Sequence, residues 1–424
     1  MLTDTLQVAT AIALLVAGTA VAWAVIGLLT AADRESGRFL QKLFVAAVLL
    51  RAALALGTYL LLPYGALAPD QAGYLSAAKV VLATGSVDLG AVVNGRGWIY
   101  FNALLFHVFG FNPLLPRFWN CLVGGLTPVL CFVLARRLGA GHAARWSAVL
   151  AGFFPSLVVW SSLNLKDAAV YFLVVAGLLL TIQLREEPWR ARRIAGIGIT
   201  LLLLFSLRQF AAQLVAVAAV VALVVSSGPA RRLGSGAHPW HTVGASIAVL
   251  VVLVLALGVL FPPLGARVYA LTGLGQLAHL RHEFGLGARS VTNIDPGIGT
   301  LAGALRFLPF GVIDFMLRPF PWEPGSDLAV LTRPETIAYY ILLAPAVLGV
   351  IASLRRTPAL ALPLVTYLAI GMVGYGLVIS NLGTLYRERA PLVLVLFVFI
   401  GVAVDVLLPA PRDHETIALP EATD

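Results

Sequence analysis

Charge is what this sequence has least of. Across 424 residues only 12% are Asp, Glu, Lys or Arg while 60% are hydrophobic, and lysine occurs three times, at Lys42, Lys79 and Lys166. Such usage lies far outside the roughly half-apolar composition of soluble domains and excludes water as the main solvent. Cysteine is nearly absent: Cys121 and Cys131 share one apolar run, have neither metal-ligand spacing nor a disulfide framework, and read as packing residues. No glycine-rich linker and no charge block divides the chain, so residues 1–424 are expected to form a single transmembrane domain. There is no continuous basic patch either. The net charge of +9 is scattered between apolar runs, which argues against nucleic acid as a partner. The strict alternation that lipid-facing barrel strands need is also missing, leaving helices as the structure that satisfies its own backbone in lipid. The first apolar run, 7–31, is too long for a signal-peptide core and lacks a basic leader, so it is expected to stay in the mature protein.

What the sequence does have is apolar runs of about 20 residues, each long enough to cross a hydrocarbon core as a helix. Spans are expected near 7–31, 43–63, 114–135, 147–163, 168–184, 194–208, 211–227, 241–261, 335–354, 359–380 and 390–409. The fold class is therefore an all-α polytopic membrane protein with about 11 transmembrane helices. Arg34, Arg38 and Lys42; Arg136, Arg137 and Arg145; Arg185, Arg190, Arg192 and Arg193; Arg231 and Arg232; and Arg355 and Arg356 alternate onto one side. By the positive-inside rule that side is the cytoplasm. Two long segments, 64–113 and 262–334, then fall outside. Within them 71–83 and 101–111 are too short to span but apolar enough to lie in the interface, and 301–322 is expected to rest on or dip into the membrane.

With charge so scarce, ionisable residues at the outer ends of spans need a reason. Asp70, Lys79, Arg96, Arg117, Lys166, Asp167, Arg208, Arg306, Asp314, Arg318, Glu323, Arg387 and Arg389 all map there. Basic residues are disfavoured in short external loops, so this accumulation suggests an anionic ligand such as a lipid phosphate. The competing reading is interfacial snorkelling by long side chains. Asp70 opens an interfacial helix and either caps it or does chemistry; Tyr74, four residues on, shares its face. Asp167 likewise suits a helix N-terminus. Arg51 lies deep in the second span and is expected to reach the cytoplasmic interface or a bundle partner. His279, His282 and Glu283 offer too few ligands for a convincing metal site.

The order of these features resembles the GT-C glycosyltransferases, polytopic enzymes that use polyprenyl-phosphate-linked sugars. A first external loop with a catalytic Asp in a D-x-x-x-Y context is similar to Asp70-Gln-Ala-Gly-Tyr74-Leu-Ser-Ala-Ala. Pro113-Leu-Leu-Pro-Arg117-Phe-Trp-Asn120, Ala135-Arg136-Arg137-Leu-Gly139, Phe154-Pro155 and Lys166-Asp167 resemble further shared segments, the last pair resembling the second external acidic site of bacterial lipid-sugar transferases of the aminoarabinose and protein O-mannosyl type. Broadly, the chain resembles the bacterial RgtA/B/C/D-like, or family-39-like, membrane glycosyltransferases. It departs from the protein O-mannosyltransferases in having Gln71 where they have a second acid. The Lys-Pro-Pro element of the aminoarabinose enzymes is missing, with Asn94-Gly95-Arg96-Gly97-Trp98 in its place.

The resemblance implies an inverting transfer from a polyprenyl-phosphate sugar donor to a lipid or glycan acceptor, at the outer side of the plasma (inner) membrane. In that scheme Asp70 is the base and Asp167 orients the acceptor or a bound cation. Arg96, Arg387 and Arg389 hold phosphate through planar guanidinium donors. Tyr74, Trp98 and Trp322 face sugar or line the lipid groove, and Arg117, Lys166, Arg318, Glu323 and Tyr386 complete the expected substrate-binding set. No metal ligands are assigned; a divalent cation is left open. Two alternatives stand beside this one: a flippase or transporter for a lipid-linked glycan, and an O-antigen-type polysaccharide polymerase. Transporters place polar groups near the midplane, on broken helices. Here the midplane is almost uncharged, which favours an enzyme.

Overall fold

The computed structural model describes residues 2–86, 95–186, 191–226, 274–286, 291–293, 296–323 and 332–408. The described residues are helical throughout, apart from turns and one isolated bridge, Val291 to Asn381. In chain order the helices are α1 (Leu2–Leu29), α2 (Arg34–Leu61), α3 (Asp70–Thr84), α4 (Arg96–Phe109), α5 (Leu114–Arg137), α6 (Ala144–Phe153), α7 (Pro155–Trp160), α8 (Asp167–Glu186), α9 (Ala191–Leu207) and α10 (Gln209–Ser226). They continue with α11 (Leu274–Gly285), α12 (Leu301–Leu317), α13 (Arg333–Arg356), α14 (Pro358–Val378) and α15 (Leu382–Leu407). Seven of them, α1, α2, α5, α8, α13, α14 and α15, are long and apolar enough to cross a membrane. The expected spans at 194–208 and 211–227 are the shorter helices α9 and α10, and the one at 241–261 lies outside the described residues.

The expected single span at 147–163 is instead two short helices, α6 and α7, with extended backbone at Phe154 between them. Pro155 has no N–H to continue the ladder. The break leaves the Gly152 carbonyl to be satisfied from elsewhere, and Arg51 of α2 does so from Nη1 at 2.8 Å while its Nε donates to Ser161 Oγ at 2.7 Å. Arg51 is thus a bundle tie buried to 1% exposure. Gly124 of α5 makes room for it: a Cβ there would lie 2.9 Å from Arg51 Nε and 2.7 Å from Ser161 Cβ.

Arg136, Arg145 and Arg356 gather at one end of the bundle. Arg136 pairs with Asp33 at 3.0 Å, Arg145 with Glu35 at 2.6 Å and Arg356 with Asp405 at 3.3 Å, tying α2, α5, α6, α13 and α15 together there. At the opposite end lie α3 and α4, which pack on each other, and the starts of α5, α8 and α10. α11 and α12 also sit at that end, against the end of α14. The α15 helix is the most enclosed of the spans, with 78% of its apolar window buried, so whatever its first turns carry is fixed in a rigid frame.

Candidate active site

Two acids meet at the loop-rich end, and a single guanidinium joins them. Asp70 opens α3 with its side chain 48% exposed; Asp167 opens α8 with none of it exposed. Arg387 of α15 donates from Nη1 to Asp70 Oδ2 at 2.7 Å, and from Nε and Nη2 to Asp167 Oδ2 at 3.1 and 2.9 Å. Arg208, the one residue between α9 and α10, donates from Nη2 to the other oxygen of Asp167 at 2.9 Å and lies 3.1 Å through Nε from Glu388 Oε1. Burial disfavours the Arg208 charge, but Glu388 and Asp167 outweigh it and hold its pKa above the usual value. Tyr171 of α8 fastens the same turn of α15 by donating to the Arg387 carbonyl at 3.3 Å.

Lys166 adds a further cation. Its side chain is nearly buried, at 7% exposure, and it has no hydrogen-bond or ion-pair partner among the described residues. Burial, reinforced by the positive Arg208, pulls its ammonium down to about 8 despite Asp167 and Glu388. The residue facing it is Gly95, which precedes α4 in the left-handed conformation (φ +100) that favours glycine. A Cβ at Gly95 would lie 3.3 Å from Lys166 Nζ and 3.4 Å from the Tyr74 ring. The absence of that carbon keeps open the space between the ammonium, Tyr74 and the uncapped N-terminus of α4. Tyr74 is buried, which pushes its phenol up to about 12.

The loop Ser161–Lys166 that carries these groups is held by amides. Asn120 of α5 donates to the carbonyls of Leu163 and Leu165, both at 2.7 Å. Asn164 is fully buried and joins three elements: it accepts from Trp98 Nε1 of α4 at 3.0 Å, donates to Tyr64 Oη at 3.1 Å, and its backbone N–H donates to Gln71 Oε1 of α3 at 3.1 Å. Gln71 follows Asp70, so Asn164 registers the exposed acid against the loop bearing the buried one.

The expected site residues divide accordingly. Asp70, Tyr74, Lys166, Asp167 and Arg387 come together, and Arg96 starts α4 on the rim. Trp98 is 1% exposed and packs on Phe101, so it supports the loop from beneath instead of facing a sugar. Arg117 donates to Ala55 O and Thr58 Oγ1 and lies over the Tyr64 ring at 4.7 Å, one step behind Asn164. Arg389 points away from Arg387, because two positions on an α-helix are about 200° apart. It donates to the carbonyls of Phe315, Met316 and Arg318, closing the end of α12, and lies between the Tyr339 and Tyr386 rings. Tyr386 donates to Thr332 on the same side. Arg318 pairs with Asp314 and Glu323, and Trp322 stacks on Phe320 with 76% of its surface exposed. Arg208, Glu388, Asn164 and Asn120 complete the site without having been assigned to it. Arg208 is signalled in the sequence by a lone charge between two apolar runs; the amides carry no such signal.

The acids do not fit a divalent cation. Arg387 stands between them, both oxygens of Asp167 are taken by guanidinium, and no cluster of three or more His, Cys, Asp or Glu exists among the described residues. His279 and Glu283 form only an exposed pair within α11.

The profile of the family described as dolichyl-phosphate-mannose-protein mannosyltransferase matches residues 97–257, which include α4 from Gly97 onward, the Lys166–Asp167 loop and Arg208. By fold, the chain is similar to the archaeal oligosaccharyltransferase AglB from Archaeoglobus fulgidus, solved with an inhibitory peptide and a dolichol-phosphate. The TM-score is 0.53 at 15% identity, over 87% of this chain and 50% of that one. The apo form of the Archaeoglobus fulgidus oligosaccharyltransferase aligns over the same shares at a TM-score of 0.48 and 14% identity. The chain therefore spans half the length of the solved structures it matches. A search of curated protein sequences finds no match. By its helical fold and by the match over residues 97–257, the chain is similar to membrane glycosyltransferases with polytopic helical cores. Over that stretch and by fold, the chain is similar to the GT-C superfamily.

Proposed function

We propose that this protein transfers a sugar from a polyprenyl-phosphate donor to an acceptor hydroxyl, with Asp70 as base and the site facing the outside of the plasma membrane. In this reading the external segments 64–113 and 262–334 build the site on one transmembrane domain. The observation that carries it is the bridge from Arg387 to both Asp70 and Asp167, beside the buried and unpartnered Lys166. A phosphate entering between Lys166, Gly95 and Arg387 meets an ammonium, the positive end of the α4 dipole and a guanidinium fork. It also competes with Asp70 for Arg387 Nη1. Once Nη1 turns to phosphate, the Asp70 oxygen it held is open to the acceptor.

The acceptor O–H proton then passes to Asp70, the acceptor oxygen bonds to the anomeric carbon, and the bond from that carbon to the phosphate oxygen breaks. The departing polyprenyl phosphate gains a negative charge where Arg387 and Lys166 are already fixed, so little reorganisation is required. A single displacement inverts the anomeric centre. Asp167 takes no proton in this scheme; enclosed by Arg208 and Arg387, it aims the guanidinium.

The test is Asp70→Asn, which keeps the volume and one oxygen but cannot take the proton. Turnover with a polyprenyl-phosphate sugar should fall about 10²- to 10⁴-fold while donor binding holds. Unchanged turnover in the purified variant sinks the assignment.

A further inference from the structure

Arg387, Glu388 and Arg389 stand in a row on α15, where successive side chains leave the helix about 100° apart. Arg387 turns to the acids and Arg389 to the end of α12, which leaves Glu388 a direction of its own. It meets Arg208, whose Nε lies 3.1 Å from Glu388 Oε1, with both side chains largely buried. Among the described residues Arg208 has one other tie, from Nη2 to Asp167 Oδ1 at 2.9 Å, and its buried Nη1 has no partner. One guanidinium thus joins the acid that aims Arg387 to an acid with no part in the transfer itself.

The neighbour that feels this pair is Lys166. Gly95 and the neutral Tyr74 phenol border its ammonium. The charged groups acting on it are Arg208, Asp167 of α8, and Glu388 and Arg387 of α15, two carboxylates against two guanidiniums. Without Glu388 the count becomes one against two, and a buried ammonium beside an excess of positive charge sheds its proton more readily. We propose that Glu388 is a positioning residue acting through Arg208: it holds that guanidinium on Asp167 and offsets its charge, so that Lys166 keeps its ammonium for the phosphate. The role presupposes the phosphate seat proposed above for Lys166.

Lys42 and Lys79 are the only other lysines and both are exposed, so the protonation of Lys166 can be followed by mass spectrometry. The purified protein in detergent is treated with acetic anhydride over a series of pH values, and acetylation of Lys166 is quantified with Lys42 and Lys79 as internal references. No donor is needed. In the unmodified protein the midpoint for Lys166 should lie at about 8. Glu388→Gln keeps the volume and an oxygen for Arg208 Nε, and should lower the midpoint by about one pH unit. Loosened packing would do the opposite, since water admitted to the site raises the midpoint toward the ordinary lysine value. Adding Arg208→Gln removes the excess positive charge and should return the midpoint to that of the unmodified protein. The double variant carries no added buried imbalance, so it reads the same balance even where Glu388→Gln alone does not fold. The alkaline fall in donor kcat/KM should follow the labelling in each variant. A midpoint that stays or rises in Glu388→Gln, or one above that of the unmodified protein in the double variant, overturns the proposal. Labelling that moves as expected while kcat/KM does not follow upholds the hold of Glu388 on Lys166 and overturns the phosphate seat instead.

Discussion

Arg387 donates to Asp70 across 2.7 Å, and the same guanidinium is anchored through its other two nitrogens on Asp167. One end of the fork is fixed and the other is exchangeable, because Asp167 is enclosed while Asp70 stands at the surface. In the proposed reaction a donor phosphate takes the exchangeable end. Donor must then bind before the acceptor can be activated. Initial-rate and product-inhibition patterns should show ordered addition, donor first. Arg387→Lys, which supplies one point charge and cannot reach both acids, should lose about 10²- to 10³-fold in turnover. Random-order kinetics in the parent enzyme would mean that no such exchange limits the base.

Lys166 gives the reaction a pH dependence of defined sign. Burial holds its ammonium at about 8, so it is charged below that pH and neutral above it. Phosphate needs the charged form, and once bound it stabilises that form. For the donor, kcat/KM should therefore fall as pH rises through about 8, while kcat stays flatter, since the two report the free and the occupied enzyme. In Lys166→Arg the alkaline fall should disappear, because a guanidinium does not titrate there. An unchanged profile in that variant would remove Lys166 from the phosphate seat.

Much of this site is legible in the sequence, for a physical reason. In a chain that is 12% charged, a charge at the end of an apolar run stands out, and Asp70, Lys166, Asp167 and Arg387 are each visible that way. What the charges do is less visible. Arg387 and Arg389 look equivalent in a string, yet helical periodicity sends one to the acids and the other to the end of α12. Trp98 suggests a sugar platform but ends beneath the loop, because its indole N–H needs a partner and Asn164 supplies it. The Asn120 and Asn164 amides are ordinary polar residues until the loop they hold is folded around them. The break at Phe154 was signalled by Pro155, and the strongly apolar flanks of that proline masked it as a continuous span.

Asn164 acts through other residues, so its removal should separate position from chemistry. Asn164→Ala strands the Trp98 indole N–H, and a buried polar group without a partner costs about 1–3 kcal/mol. It also loosens the register between Gln71 and the loop bearing Lys166. Because about 1 Å of misplacement can cost on the order of 10²-fold, kcat should fall by one to two orders of magnitude with little change in donor KM. Asn164→Asp, which keeps the acceptor oxygen for Trp98, should recover part of the loss. A variant that is less stable but turns over normally would reduce Asn164 to a packing residue.

Asp167 should behave unlike Asp70 despite the shared side chain. It is wholly enclosed and accepts from Arg208 Nη2 and from Arg387 Nε and Nη2, so it balances two guanidiniums that cannot shed their charge. Asp167→Asn removes that balance and turns an amide N–H₂ or a single neutral oxygen toward donors. Removing one partner of a buried ion pair costs about 3–5 kcal/mol, chiefly through the charge left behind. The melting temperature should therefore drop clearly in Asp167→Asn and hardly move in Asp70→Asn, where water reaches the carboxylate. Because the penalty comes from stranded arginine, adding Arg387→Gln to Asp167→Asn should restore part of the lost stability, a coupling that a double-mutant cycle reads directly. If Asp167→Asn melts with the parent protein, or if the second substitution only adds to the damage, Asp167 is not the anchor of the Arg387 fork.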